Sequence, residues 1–540
     1  MPVFTDGFRP TGYQFPSRRS TVMCTRGAVA TSHPLAAGVG LDILKSGGNA
    51  FDAAVATAAA LAVVEPMSTG VGGDMFALAW PSKERRLVAL NGSGRAPALA
   101  TPGFYLDRGY QAVPEEGILS ATVPGTVDGW QTLLEKYGRM SLSEVLTPAI
   151  EFARMGFPVA EVLGESWKRS AAKLLRCPNS TRVFLRKGRP PEPGEVYHLP
   201  ELAATLETIA EGGREAFYRG DIAKKIAAYC RGNGGLITEE DLAAHTSTWV
   251  EPISTNYRGY EVYECPPNGQ GLAALVALNI VEGMDLARLG HNSEEYLHVL
   301  IEAMKLAFGD AYAYIADPEH AHIPLDILLS RDYAEKRRAL IGPQAAPGPR
   351  PGTAGQDTVY LTVVDKERNA VSFINSVFAA FGSGVTAGDT GIILQNRGHG
   401  FTLEPGHANQ LAPGKRPYHT IIPAMIIKDG LPICSFGVMG GSMQPQGHLQ
   451  VVCNLVDFGM NPQQALDAQR FRYHDQRRVA IEPVGQHIER ALAGRGHELV
   501  PHAEALAAGF GGGQMIVIDH QSGVLFASSD PRKDGHAVGY

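Results

Sequence analysis

The chain has 540 residues, 44% hydrophobic and 19% charged, which is enough to bury a large core. A net charge of −7 and a pI near 6.2 leave no basic footprint for nucleic acid or an anionic membrane surface, which argues against either as a partner. Six cysteines stand far apart with no CxxC, and 17 histidines form no HExxH, so the sequence predicts buried free thiols, no metal and no cofactor.

Residues 1–26 carry polar and aromatic side chains but no apolar run of signal-peptide length, which predicts a cytoplasmic protein without a secretory signal or anchor. Residues 27–80 read as strand, helix, Ala-rich helix and strand. Asn49 is placed to cap the second helix, with Asp52 three residues on in capping-box spacing. The apolar run 53–64 is too short to span a bilayer and reads as a buried helix. Val71-Gly72-Gly73-Asp74 makes the return into the next strand, with Asp74 read as a turn residue rather than a catalytic one. Between 128 and 250 the helical period dominates and predicts amphipathic helices over 130–137, 143–155, 200–211 and 221–230. Residues 342–357 contain four prolines and four glycines, which predicts a flexible loop.

The next strand opens on a hydroxyl residue, Thr358. Residues 359–364 and 370–374 are rich in β-branched and aromatic side chains, and the polar residues Lys366 to Asn369 between them have hairpin-loop length. Pairing Asp365 with Ala370 sets Thr358 opposite Val377, one residue from Ser376. On composition alone Thr358 is an ordinary β-branched strand residue. Its place after the Pro/Gly loop opens a second reading, because cleavage before it would free an α-amine of pKa about 8 beside the hydroxyl. That amine can take the hydroxyl proton, so a single residue serves as nucleophile and base. Gly440-Gly441 follow the apolar run 431–436 and either form a turn or offer two N–H groups to an oxyanion. The glycines of 509–513 precede a strand-like 514–519 and lack a following Lys-Ser/Thr, so nucleotide binding is not predicted.

In order and spacing, Gly27 to Ala30, Leu41 to Val55, Val123 to Thr126, Asn233 to Thr238, Tyr257 to Tyr260 and Asp530 to Arg532 resemble the γ-glutamyltranspeptidase family of N-terminal nucleophile hydrolases. The similarity runs over nearly the whole chain. It implies an α+β fold, a four-layer αββα sandwich built from two autoprocessed segments. It implies a precursor cleaved between Asp357 and Thr358 into a mostly helical large subunit, 1–357, and a small catalytic subunit, 358–540. These would form a heterodimer, with further dimerisation open. Thr358 would be the nucleophile, Ser376 would replace a Thr that hydrogen-bonds it, and Gly440 and Gly441 would form the oxyanion hole.

Departures from the family pattern fall on the substrate pocket. Ser93 stands where an Arg holds the substrate carboxylate, with Arg95 two residues on. Phe378 replaces an Asn, Arg397 a Gln, Gly400 an acidic residue that grips the α-ammonium, and His419-Thr420 a pair of serines. The pocket thus loses an anionic partner and gains positive charge, and a carboxylate could be forked by Arg397 or Arg95. The resemblance implies hydrolysis of γ-glutamyl amides such as glutathione, with transpeptidation open. The altered pocket leaves a small carboxylate-bearing amide such as oxamate, an acylase substrate, or an inactive binding homologue as alternatives.

Overall fold

The computed structural model describes residues 19–348, 357–501 and 509–540. The readings of residues 1–18 and of loop residues 349–356 lie outside these.

Two seven-stranded antiparallel sheets carry the chain. The first runs Val22–Cys24, Leu525–Ser529, Gly512–Ile518, Leu431–Met439, Ala424–Lys428, Tyr260–Glu264, Ile253–Tyr257. The second runs His536–Gly539, Ala28–Thr31, Asp357–Val364, Ala370–Phe378, Asp74–Trp80, Val88–Gly92, Thr248–Val250. Phe76, Leu78, Tyr360 and Ile374 of the second sheet meet Met425, Ile427, Ile516 and Ile518 of the first in one apolar layer. The alternate side chains of the same strands, Val359, Leu361, Val363 and Phe373, pack with the all-buried helix Ala50–Val64 on the outer face. Both faces of these strands are therefore covered, which is why they read as continuous apolar runs rather than an alternation. The helices Gly271–Glu282, Glu294–Tyr314 and Met443–Val456 cover the outer face of the first sheet. The order of layers is αββα, as the resemblance implied. Each sheet takes strands from before and after residue 358, so the two segments share one core.

The capping chemistry matches the sequence. Asn49 Oδ1 accepts from the amides of Phe51 and Asp52, and the Asp52 carboxylate accepts from Asn49 N at 2.8 Å. The helices predicted at 130–137, 143–155, 200–211 and 221–230 are Thr126–Tyr137, Leu142–Met155, Pro200–Tyr218 and Asp221–Gly232. The third runs past its predicted end through a kink at Gly213, whose φ of 61° a glycine accepts. Among the described residues no helix is long and apolar enough to cross a membrane, and all six cysteines are buried free thiols.

The hairpin register differs from expectation by one residue: Val364, not Asp365, pairs with Ala370. Asp365 is drawn into the turn, where its carboxylate accepts from the amides of Glu367 and Asn369 and from Ala50 N at the start of the buried helix. An Asp that satisfies turn amides starts the loop instead of extending the ladder. Asn49→Ala is expected to lower stability by about 1 to 2 kcal/mol through loss of the cap, measured as a drop in melting temperature.

Candidate active site

The central strand pair ends in a bulge. Val359 pairs with Asn375 but Asp357 pairs with Phe378, so Thr358 faces two residues, Ser376 and Val377. The bulge cancels the one-residue offset of the hairpin and brings the Thr358 and Ser376 hydroxyls to 3.1 Å. Ser376 Oγ also accepts from the Phe378 amide at 2.8 Å, and Phe378 holds a φ of +80°, strained for a residue with a Cβ. Both hydroxyl residues are buried.

Gly440 and Gly441 leave the strand Leu431–Met439 with φ of +125° and +59°, a path that a side chain would strain. A Cβ on Gly440 would stand 3.1 Å from Gly511 Cα. Neither glycine amide donates to an acceptor among the described residues, while their carbonyls accept from Met443 N and Gln444 N at the start of the helix Met443–Val456. Gln270 Nε2 donates to the carbonyls of both Gly441 and Thr420, tying this turn to the 419–420 segment.

Asp74 is not a turn residue but the first residue of the strand Asp74–Trp80, where its backbone pairs with Ser376. Its buried carboxylate is a hub. Oδ1 accepts from Gly94 N, Gly125 N and Gln395 Nε2 at 2.9 to 3.1 Å, and Oδ2 faces His419 Nε2 at 3.0 Å. The amide of Ile421 donates to His419 Nδ1, so the proton lies on Nε2 and the ring is the neutral tautomer. Burial, then the nearby Arg397 charge, hold the His419 pKa down to about 4 against the pull of Asp74.

Arg397 is fully buried. Its Nη1 donates to Thr420 Oγ1 at 2.8 Å and its guanidinium lies 4.1 Å from the centroid of the Phe378 ring, while Nε and Nη2 have no hydrogen-bond partner among the described residues. Burial lowers its pKa to about 9, with the Asp74 charge opposing. Of the departures from the family pattern, Phe378, Arg397, His419 and Thr420 are thus packed into one unit around Asp74 rather than scattered. Arg95 does not join it: its guanidinium approaches the Thr246 carbonyl and Glu319. The guanidinium beside Ser93 belongs instead to buried Arg416, whose Nε donates to the Ser93 carbonyl.

A cleft of about 560 Å³ opens beside this unit, lined by Phe378, Gly400, Phe401, Tyr312, Tyr418 and Thr420, with Glu115, Glu404, His399 and His407 around it. Gly400 is therefore not the end of the acidic character here, since the exposed Glu115 and Glu404 lie in the same wall. Elsewhere, His298, Glu302 and His497 bring potential ligand atoms within 4.8 Å, a cluster the sequence spacing does not reveal. Lys305 Nζ and Ala346 N donate to the Glu302 carboxylate there, and His298 bonds the Gly342 carbonyl, so the group fastens residues 342–346 to the helix Glu294–Tyr314.

A family model described as Gamma-glutamyltranspeptidase matches residues 36–540. The chain belongs to that family. It is 43% identical over 529 residues to the glutathione hydrolase-like YwrD proenzyme of Bacillus subtilis, covering 96% of this chain and 99% of that one. It is 35% identical over 545 residues to the glutathione hydrolase proenzyme of Escherichia coli, covering 96% and 93%. The solved structure of a cephalosporin acylase from Bacillus halodurans superposes with a TM-score of 0.93 at 47% identity, covering 99% of each chain. Family membership makes the chain an amidohydrolase of the N-terminal nucleophile type.

Sequence reasoning missed Asp74 and Arg416. The available signal for Asp74 was a carboxylate directly preceding the apolar run Met75–Trp80, where a solvated turn residue has no water to face. Because the folded His419 pKa of about 4 lies below the ordinary 6.5, the unfolded chain binds the extra proton first and stability falls with acid across that window. His419→Asn is expected to remove about 3 kcal/mol of the loss between pH 6.5 and 4, read from urea midpoints at the two pH values.

Proposed function

We propose that the protein is a self-cleaving threonine-nucleophile amidohydrolase of γ-glutamyl amides, with glutathione the first substrate to test. The observation that carries this reading is the buried hydroxyl pair, Thr358 Oγ1 and Ser376 Oγ at 3.1 Å, at the bulged end of the central strands. Cleavage starts when Thr358 Oγ1 attacks the Asp357 carbonyl carbon. The C–N bond breaks, the Thr358 nitrogen takes up the proton, and water hydrolyses the resulting ester to free the Asp357 carboxylate. The two products, 1–357 and 358–540, stay together because each supplies strands to both sheets.

In turnover the freed α-amine of Thr358 accepts the hydroxyl proton, and Oγ1 attacks the amide carbon. The Gly440 and Gly441 N–H groups stabilise the oxyanion, and Ser376 orients Oγ1. The amine then protonates the leaving nitrogen. Water, activated by the same amine, resolves the acyl-enzyme. The support for these roles is the geometry of the pair, the two unspent glycine amides, and the proenzyme relatives.

Purified protein should run as two bands of roughly 38 and 20 kDa, the shares of the 57.7 kDa chain held by 1–357 and 358–540, and Thr358→Ala as one. N-terminal sequencing of the smaller band should read Thr-Val-Tyr-Leu; another start moves the nucleophile elsewhere. Ser376→Ala is expected to slow both cleavage and turnover about tenfold, the cost of one orienting hydrogen bond. If glycylglycine accelerates release from a γ-glutamyl anilide manyfold, the acyl-enzyme is resolved by an amine rather than water.

A further inference from the structure

His298, Glu302 and His497 bring two imidazoles and a carboxylate together away from the cleft, all three buried and with potential ligand atoms within 4.8 Å of one another. His298 and Glu302 stand about one turn apart on the helix Glu294–Tyr314, so both side chains leave the same face. His497 comes from the later part of the chain, just after the helix Gln486–Gly494, and its Nε2 lies 2.9 Å from His298 Nδ1. His298 Nε2 is 2.8 Å from the Gly342 carbonyl, which can only accept, so Nε2 carries the proton and Nδ1 of the neutral ring is a bare lone pair. His497 Nε2 therefore donates to that lone pair. Its own Nδ1 is left as a buried acceptor with no donor among the described residues.

The same three residues have the parts of a metal centre. A ligating histidine donates its second ring nitrogen to a carbonyl or carboxylate that fixes the ring, as His298 does to Gly342, and a ligating carboxylate is itself hydrogen-bonded. Glu302 accepts from Ala346 N at 3.1 Å and from Lys305 Nζ at 2.7 Å. Lys305 is the charge that opposes a cation here, yet Nζ also donates to the Ala346 carbonyl at 2.8 Å and keeps that acceptor when Glu302 turns to a metal. Moving the His497 proton from Nε2 to the unpartnered Nδ1 makes both facing nitrogens lone pairs, and a metal then takes the place of the shared proton. Two nitrogens on one tetrahedral zinc lie roughly 3.3 Å apart, so the imidazoles need to part only slightly from 2.9 Å. Two imidazoles with one carboxylate suit Zn²⁺ over Mg²⁺ or Ca²⁺, which prefer oxygen ligands. Gly342 and Ala346, which bond the ligand residues, are exposed, so the site lies beneath one surface segment.

We propose that His298, Glu302 and His497 form a binding site for one Zn²⁺ ion, with water in the fourth position, that ties residues 1–357 to residues 358–540. Hydrogen bonds from Arg477 to the Ala345 carbonyl and from Arg495 to the Pro343 carbonyl run along the same seam. The ligation itself is independent of cleavage. Its consequence, that the end of the large fragment stays clipped to the small one, rests on the self-cleavage reading above.

Untagged protein stripped with a chelator and titrated calorimetrically with zinc chloride should take up one Zn²⁺ per chain with a Kd of about 1 μM or tighter, and Mg²⁺ and Ca²⁺ should bind at least ~100-fold more weakly. His497→Gln should weaken the zinc step by about 100-fold and abolish the rise in urea midpoint that zinc gives the wild-type chain. Co²⁺ on the wild-type chain should show the intense visible absorption of a four-coordinate site, a readout that serves if His497→Gln fails to fold. No saturable step at one zinc per chain, a step that His497→Gln leaves intact, or only the pale spectrum of six-coordinate cobalt overturns the site. Zinc bound through His497 by a wild-type chain that runs as one band leaves the site standing and removes the self-cleavage reading.

Discussion

The structure depends on how one strand pair ends. Along most of their length Asp357–Val364 and Ala370–Phe378 are locked into the middle of a sheet whose two faces are both buried, which leaves the backbone no freedom to slide. The single irregularity is the bulge at Thr358. Without it, the one-residue offset set by the Asp365 turn would continue to the strand end with no extra residue to absorb. With it, Thr358 and Ser376 present their hydroxyls to each other and Phe378 is driven into a positive φ beside Arg397. Strain of this kind persists only where surrounding packing over-determines it, and here two apolar layers do so.

Around that end the chain assembles a polar unit inside an apolar core. Asp74 is the electrostatic centre: four donors converge on it, and its charge partly offsets that of Arg397, to which it makes no direct bond. The consequence is an arginine held charged and oriented but not neutralised. A direct Asp74–Arg397 pair would have consumed the fork, and a pocket without Asp74 would have faced the full cost of burying the cation. The neutral His419 takes the remaining carboxylate oxygen without adding charge.

Much of this was legible in the sequence because it rests on local chemistry. The Asn49–Asp52 capping box, the Ala-rich helix, the hairpin and the Thr358–Ser376 neighbourhood follow from spacing, propensity and turn residues. The one-residue register error came from treating Asp365 as a strand residue when its carboxylate serves three amides. Asp74 was misread because a Gly-Gly-Asp sequence signals a turn, and only the tertiary fold shows that the carboxylate points among Gly94, Gly125, Gln395 and His419, residues up to 345 positions away. Arg416 escapes a sequence reading for the same reason. Proximity in sequence to Ser93 said nothing about which guanidinium would fold back onto its carbonyl.

The claim on which the rest stands is that Thr358 carries the acyl group. Acid quenching during turnover of a γ-glutamyl anilide, followed by tandem mass spectrometry of the small fragment, reads this directly. An acyl ester or its nitrogen-migrated amide is expected on the N-terminal threonine, residue 358. An adduct on Ser376, or on any side chain outside residue 358, would contradict it.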